Sequence, residues 1–187
     1  QGGLGVEADR ERPLQLAIGV DIAHLEDGRR RIRRQFDTNV IGLLEVTKAV
    51  LPTMREQRSG VVVNISSVGG RMAFPLGSLY HGSKFAVEGL SEALTYELTP
   101  LGISVKVIEP GLVDTDFAGR SFVLSIDPEG GAYQDTVGTV LTAFGAIQEQ
   151  QGSASATDVA TAIFEAATDG TRQLRYIVGE DAVATLG

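Results

Sequence analysis

A chain of 187 residues with 43% hydrophobic residues is long enough to bury one sizeable core, and its net charge of −8 disfavours nucleic acid or an anionic membrane as partner. No apolar run approaches the roughly 20 residues of a membrane-spanning helix. The absence of cysteine excludes disulfides and thiolate chemistry, and the first residues lack the basic start and apolar centre of a signal peptide, so the cytoplasm is the expected location.

Residues 1–13 are polar, contain glycine and carry no periodic apolar pattern, which predicts a loose arm. Leu14 to Val20 alternates and is β-rich enough for a strand, and Asp21 to Gly28 is a connection. From Arg29 to about Gln57, apolar residues from Ile32 and Phe36 through Val40, Leu43, Val46 and Leu51 recur at helical spacing, with Gly60 as a stop signal. The basic cluster Arg29 to Arg34 reads as the solvated start of that helix, flanked as it is by Glu26, Asp27 and Asp37.

Val61 to Ile65 is a continuous β-branched run, expected of a strand buried on both faces. A loop through Pro75 and Gly77 leads to a helix from about Ser78 to Leu98, with Phe85, Leu90, Ala93 and Leu94 as its expected core stripe. Ile103 to Ile108 is a further strand, ended by Pro110-Gly111. The segment of about 114–153 is long for a connection, and its scattered Phe117, Phe122, Tyr133 and Phe144 suggest a lid or substrate-binding segment. Thr157-Asp158 caps a helix to about Thr168, and Arg175 to Val178 is a short last strand.

Strands alternating with helices imply a parallel sheet with right-handed crossovers, whose ligands bind beyond the carboxyl ends of the strands. The predicted fold is therefore α/β: one domain over 1–187, a Rossmann-like doubly wound sheet truncated on its N-terminal side, with about four strands and three main helices. Ser66, Ser67, Pro110 and Gly111 fall on the carboxyl rim. Tyr80 and Lys84, four apart at the start of the second helix, share one helical face. A phenol beside an ammonium is an acid/base device, because the positive charge favours the phenolate and should bring the tyrosine pKa down from about 10. Only 3 of the 16 basic residues are lysines, which makes Lys84 conspicuous. The two histidines, His24 and His81, are too few for a metal site and show no ligand spacing, so no metal is expected.

Four linked stretches complete the pattern: Phe36-Asp37-Thr38-Asn39-Val40-x-Gly42, Asn64-Ile65-Ser66-Ser67, Tyr80-x-x-x-Lys84 and Pro110-Gly111-x-Val113-x-Thr115. In order and spacing, about residues 25–187 resemble the short-chain dehydrogenase/reductase family, classical type. The resemblance implies an NAD- or NADP-dependent oxidoreductase interconverting an alcohol and a carbonyl. Tyr80 would be the general acid/base, and Lys84 would lower its pKa and hold the nicotinamide ribose. Ser67, thirteen residues before Tyr80, would orient the substrate oxygen, with Ser66 off by one. Asn39 would hold a water linking Lys84 to solvent. Pro110, Gly111, Val113 and Thr115, with Tyr80 and Lys84, would line the cofactor cleft. Pairing into a homodimer or homotetramer through helices 29–57 and 78–98 is implied as well.

The chain starts at about the family's fourth strand. The glycine-rich turn that holds the pyrophosphate has no counterpart in it, because Gly2-Gly3-Leu4-Gly5 follows no strand. A part of a longer protein is the expectation, ahead of a chain that has lost dinucleotide binding. Two alternatives remain: a cofactor-independent serine hydrolase using Ser67, Tyr80 and Lys84, and a non-catalytic dimerising remnant. Against the hydrolase, Ile65 rather than glycine stands two before Ser67, and no Ser-x-x-Lys occurs. The apolar content of the lid segment points to a small apolar alcohol or ketone as substrate.

Overall fold

A computed structural model describes residues 25–115 and 134–187. The predicted arm, the strand over 14–20 and the part of the lid over 116–133 lie outside the described residues. The elements in chain order are α1 (Leu25–Phe36), a π-helical turn (Asp37–Ile41), α2 (Gly42–Gln57), β1 (Gly60–Ile65), a 3-10 turn (Val68–Gly70), α3 (Ser78–Leu98), a second 3-10 turn (Thr99–Leu101), β2 (Ile103–Pro110), α4 (Gln134–Gln151), α5 (Ala156–Thr168), β3 (Arg175–Val178) and α6 (Glu180–Leu186). The three strands form a parallel sheet in the order β1-β2-β3, with Val62 opposite Val105 and Ile108 opposite Tyr176. This is a truncated Rossmann-like α/β fold.

Helix 29–57 of the sequence reading is three pieces. Its expected core stripe is also only partly inward, since Val40 is buried while Val46 and Val50 are exposed. The helix ends at Gln57 as expected, but the stop is Arg58 in the left-handed conformation (φ 55°), two residues before Gly60, which opens β1 instead. Gly102 (φ 75°) makes the matching turn into β2; a Cβ there would lie 2.2 Å from the Arg58 carbonyl oxygen.

Strand β1 was expected to be covered on both faces. As the edge of the described sheet it leaves Val61 38% and Ile65 40% exposed, while Val62 and Asn64 face the core. The core stripe of α3 is borne out in part, since Leu94 packs against the core. Phe85 is exposed, and the buried positions include Ser83, Val87, Ser91 and Leu98. Small hydroxyl residues bring the helix close to the sheet and satisfy its polar groups, as Ser91 Oγ does by accepting from Asn64 Nδ2 at 2.9 Å. The apolar core lies on both sides of β2: Val62, Leu98, Ile103 and Val105 towards α2 and α3, and Ile108, Ala154, Ala166 and Val178 towards α5.

Central β2 also carries two buried charges. The Lys106 ammonium donates to Asp169 Oδ1 (3.0 Å), to the Thr171 carbonyl oxygen (2.9 Å), to Thr171 Oγ1 (3.2 Å) and to the Tyr176 hydroxyl oxygen (2.8 Å). With the Tyr176 hydroxyl donating to it as well, the Asp169 carboxyl is held well below the usual carboxylate range. Glu109 pairs with Arg71 (3.1 Å) and Arg175 (3.3 Å), and Arg175 also reaches Glu88 (3.1 Å) and Glu92 (2.6 Å) on α3.

Within the segment expected to be a lid or substrate-binding segment, residues 134–151 form the helix α4. Val137, Val140, Leu141 and Phe144 recur at helical spacing there, masked in the sequence by Gly138, Gly145 and the threonines. Thr139 and Thr142 bond back to the carbonyls of Asp135 and Gly138 at 2.9 Å, so these hydroxyls do not interrupt the helix. The cap of α5 is Ser155 rather than Thr157-Asp158. Ser155 Oγ accepts from the Asp158 N–H and the Asp158 carboxylate accepts from the Ser155 N–H, a reciprocal capping box. Helix α6, which had no forecast, begins at Glu180 and Asp181, acids favoured in a first turn.

Candidate active site

The site assembles where β1 and β2 end. The Ser66 N–H extends the ladder by donating to the Ile108 carbonyl (2.8 Å), and the chain then turns. Ser67 caps the 3-10 turn: its Oγ accepts from the Gly69 N–H at 3.1 Å. That leaves one hydroxyl hydrogen, which faces the Pro110 carbonyl oxygen at 3.3 Å and the Tyr80 phenol, with which Ser67 also hydrogen-bonds. Ser67 and Tyr80 thus meet at the rim, with Pro110 from the end of β2 as the third wall. Ser66 Oγ points elsewhere. It is buried without a hydrogen-bond partner among the described residues, and a Cβ on Gly70 would lie 2.5 Å from it.

Lys84 lies one helical turn beyond Tyr80, its Nζ 5.8 Å from the centroid of the Tyr80 ring. It donates to the Ile65 carbonyl oxygen at 2.9 Å. Burial pulls the Lys84 pKa down to about 8, and the Glu88 carboxylate partly offsets this. The expected fall in the tyrosine pKa is not what the geometry produces. Burial pushes the Tyr80 phenol up, and the Ser67 hydrogen bond opposes only part of it. Taking the phenolate out of water costs more than that one hydrogen bond returns.

Asn39 lies in the π turn between α1 and α2, a distortion that re-aims side chains and often marks functional sites. It was expected beside Lys84 through a water. Its Nδ2 donates to Ser83 Oγ at 3.0 Å, and Ser83 donates to the Tyr80 carbonyl oxygen at 2.7 Å. Asn39 therefore braces the backbone that carries Tyr80 and Lys84. Ser83, fully buried, is a member the sequence reading missed; the available signal was a serine, a poor interior helix former, between Tyr80 and Lys84.

Gly111 donates its N–H to the Val178 carbonyl (2.9 Å), and the Leu112 N–H donates to Asp181 Oδ2 (2.7 Å). A Cβ on Gly111 would sit 2.1 Å from that carboxylate, so any side chain there would displace Asp181 from the Leu112 N–H. Val113 bridges to Ala154, and Thr115 is exposed beyond it. The loop thus runs from Pro110 at the Ser67 hydroxyl to Thr115, the last residue described before 134. No group of three or more histidine, aspartate or glutamate side chains able to hold a metal occurs among the described residues. Among the same residues no helix is long and apolar enough to cross a membrane.

The chain is thus a Rossmann-like parallel α/β protein with a serine, a tyrosine and a lysine gathered at the carboxyl rim of its sheet. The short chain dehydrogenase family model matches residues 17–122, more than half of the sequence, and the chain belongs to that family. An uncharacterized oxidoreductase of Schizosaccharomyces pombe is 40% identical over 158 residues, which cover 82% of this chain and 63% of the relative. The chain thus spans under two thirds of that relative's length. A short-chain dehydrogenase from Streptomyces avermitilis has a similar structure, with a TM-score of 0.68 at 36% identity over 84% of this chain and 56% of that one. The structure of ElxO with NADP bound, at 23% identity and a TM-score of 0.64 over 82% of this chain and 58% of that one, shares the fold. Nicotinamide dinucleotide binding thus occurs among proteins of this fold.

Proposed function

We propose that the chain carries the catalytic part of an NAD- or NADP-dependent oxidoreductase that interconverts an alcohol and a carbonyl. The observation that supports it most is the Ser67–Tyr80 hydrogen bond at the strand ends, with Lys84 over the same ring. The substrate oxygen would lie between the Ser67 hydroxyl and the Tyr80 phenol, accepting a hydrogen bond from Ser67. In reduction Tyr80 gives its proton to that oxygen; in oxidation its phenolate takes the proton back. A phenol whose pKa is raised by burial rests neutral, the form that donates, so the centre is poised for reduction at neutral pH.

The ribose–nicotinamide end of a dinucleotide fits the residues present. The Lys84 ammonium spends one of its three donors on Ile65, leaving two for ribose hydroxyls, and the Pro110–Thr115 loop lines the neighbouring wall. When bound, the dinucleotide supplies or accepts the hydride. No strand, glycine-rich turn and helix for the pyrophosphate stands ahead of β1 among the described residues. Phe74 and Phe144 meet edge to face at 5.1 Å, an apolar wall that favours a small apolar alcohol or ketone.

Pairing through α2 and α3 and a cytoplasmic location belong to the same reading. Val46, Phe85 and Tyr96 are exposed on those helices, and a groove of about 440 Å³ between them is lined by Leu44, Leu51, Pro52 and Leu94. The hydrolase alternative draws nothing from the geometry, because the Lys84 ammonium turns to Ile65 rather than to Ser67. Titration with NADH and NADPH tests the proposal. Saturable enhancement of nicotinamide fluorescence and turnover of an apolar ketone are expected; ester hydrolysis lost in Ser67→Ala, with neither dinucleotide bound, would overturn it.

A further inference from the structure

His81 follows Tyr80 directly and is 3% exposed, yet the chemistry above does not use it. Both of its ring nitrogens are engaged on the loop that leaves Ser67. Nδ1 lies 2.8 Å from the Gly69 carbonyl oxygen, and Nε2 accepts from the Phe74 N–H at 3.3 Å. A carbonyl can only accept and an amide N–H can only donate, so the ring is the neutral tautomer with its proton on Nδ1. The ring is also gripped by shape. A Cβ on Gly69 would lie 2.9 Å from Nδ1 and one on Gly77 2.7 Å from Nε2, so two glycines make room for it. Its face meets Phe74 edge to face at 4.1 Å, and Phe74 in turn meets Phe144 of α4.

The residues it holds are those the site needs. Gly69 is the residue whose N–H orients Ser67 Oγ, and Phe74 is one side of the apolar wall. We propose that His81 is a positioning residue: as its Nδ1–H tautomer it ties the Gly69–Phe74 loop to the first turn of α3, and so fixes the Ser67 hydroxyl and the Phe74 wall beside Tyr80. The effect on turnover rests on the oxidoreductase reading; the clamp itself does not.

The test has two arms. Long-range proton–nitrogen NMR of the imidazole at neutral pH reports the tautomer without any turnover. Protonated Nδ1 with unprotonated Nε2 is expected, and protonated Nε2 or rapidly exchanging tautomers would overturn the clamp. His81→Phe keeps the ring against Phe74 and removes both hydrogen bonds, His81→Gln is able to replace only the bond to Phe74, and His81→Asn only that to Gly69. Amide exchange at Phe74 should quicken about tenfold or more in His81→Phe and His81→Asn but less in His81→Gln. Equal exchange in all variants contradicts the proposal. In an active protein, kcat for a ketone should fall about tenfold in His81→Phe while dinucleotide affinity stays unchanged. Equal losses in both quantities would mean that His81 merely supports the fold. A wild-type protein without turnover would count against the oxidoreductase reading alone, and the tautomer and exchange results would still decide the clamp.

Discussion

Tyr80 and Lys84 show how far a spacing argument reaches. Their i,i+4 placement on one helical face is a property of the chain and is what the structure contains. The direction of the phenol's shift is not, because it depends on how much water the fold removes, and burial outweighs the Ser67 hydrogen bond. Two pH dependences follow. Ketone reduction should be faster at pH 6–7.5 than above pH 9, where Lys84, with a pKa of about 8, has lost its charge. A kcat/KM profile that rises with pH in the reductive direction contradicts this. The folded pKa of Lys84 also lies below its ordinary 10.5, so between about pH 8 and 10.5 the unfolded chain binds a proton that the folded one has released. Stability from this site therefore rises with pH across that window, and chemical denaturation should show the stability of wild type relative to Lys84→Met rising from pH 8 to 10. The contact that Asn39 makes with Ser83 was not legible. A sequence cannot show that a π turn swings it onto Ser83.

At the scale of elements, patterns that repeat along the chain were readable and those that depend on a neighbour were not. Strands β1, β2 and β3 and helix α3 lie where β-branched runs and helical spacing put them. The buried face of α3 was read only in part: Leu94 packs on the core, but the buried positions include Ser83 and Ser91 rather than Phe85. Nor does periodicity forecast that β2 would bury Lys106 and Glu109, since each depends on partners more than 35 positions away. These partners have a cost attached. Arg175 joins Glu88, Glu92 and Glu109, and Arg175→Met would strip buried Glu88 of its ion-pair partner and leave buried Glu109 with Arg71 alone. The expected loss is about 3–5 kcal/mol by denaturant titration, the usual scale for breaking a buried pair, and a loss below about 1 kcal/mol would show the cluster to be solvated. On α4, Phe144→Ala removes half of the apolar wall. It should raise KM for an apolar ketone more than it lowers kcat, whereas unchanged kinetics would place the substrate elsewhere.

Over the molecule as a whole, the family and the parallel sheet were legible because four motifs keep their order across the chain, as the match over residues 17–122 bears out. The exposed Val46, Phe85 and Tyr96 lead to one prediction at this scale. Phe85→Asp and Val46→Glu should shift a dimer towards monomer in analytical ultracentrifugation, and a wild type that is monomeric at high concentration rules out pairing through α2 and α3. The central claim is that the Tyr80 hydroxyl moves the substrate proton while Ser67 and Lys84 hold it in place. The most direct measurement is ketone turnover by Tyr80→Phe, alongside its circular dichroism and dinucleotide binding. The account predicts an unchanged fold, retained binding and a rate reduced by about 10²–10⁴, the usual worth of a positioned acid. Turnover within a few-fold of wild type would contradict it.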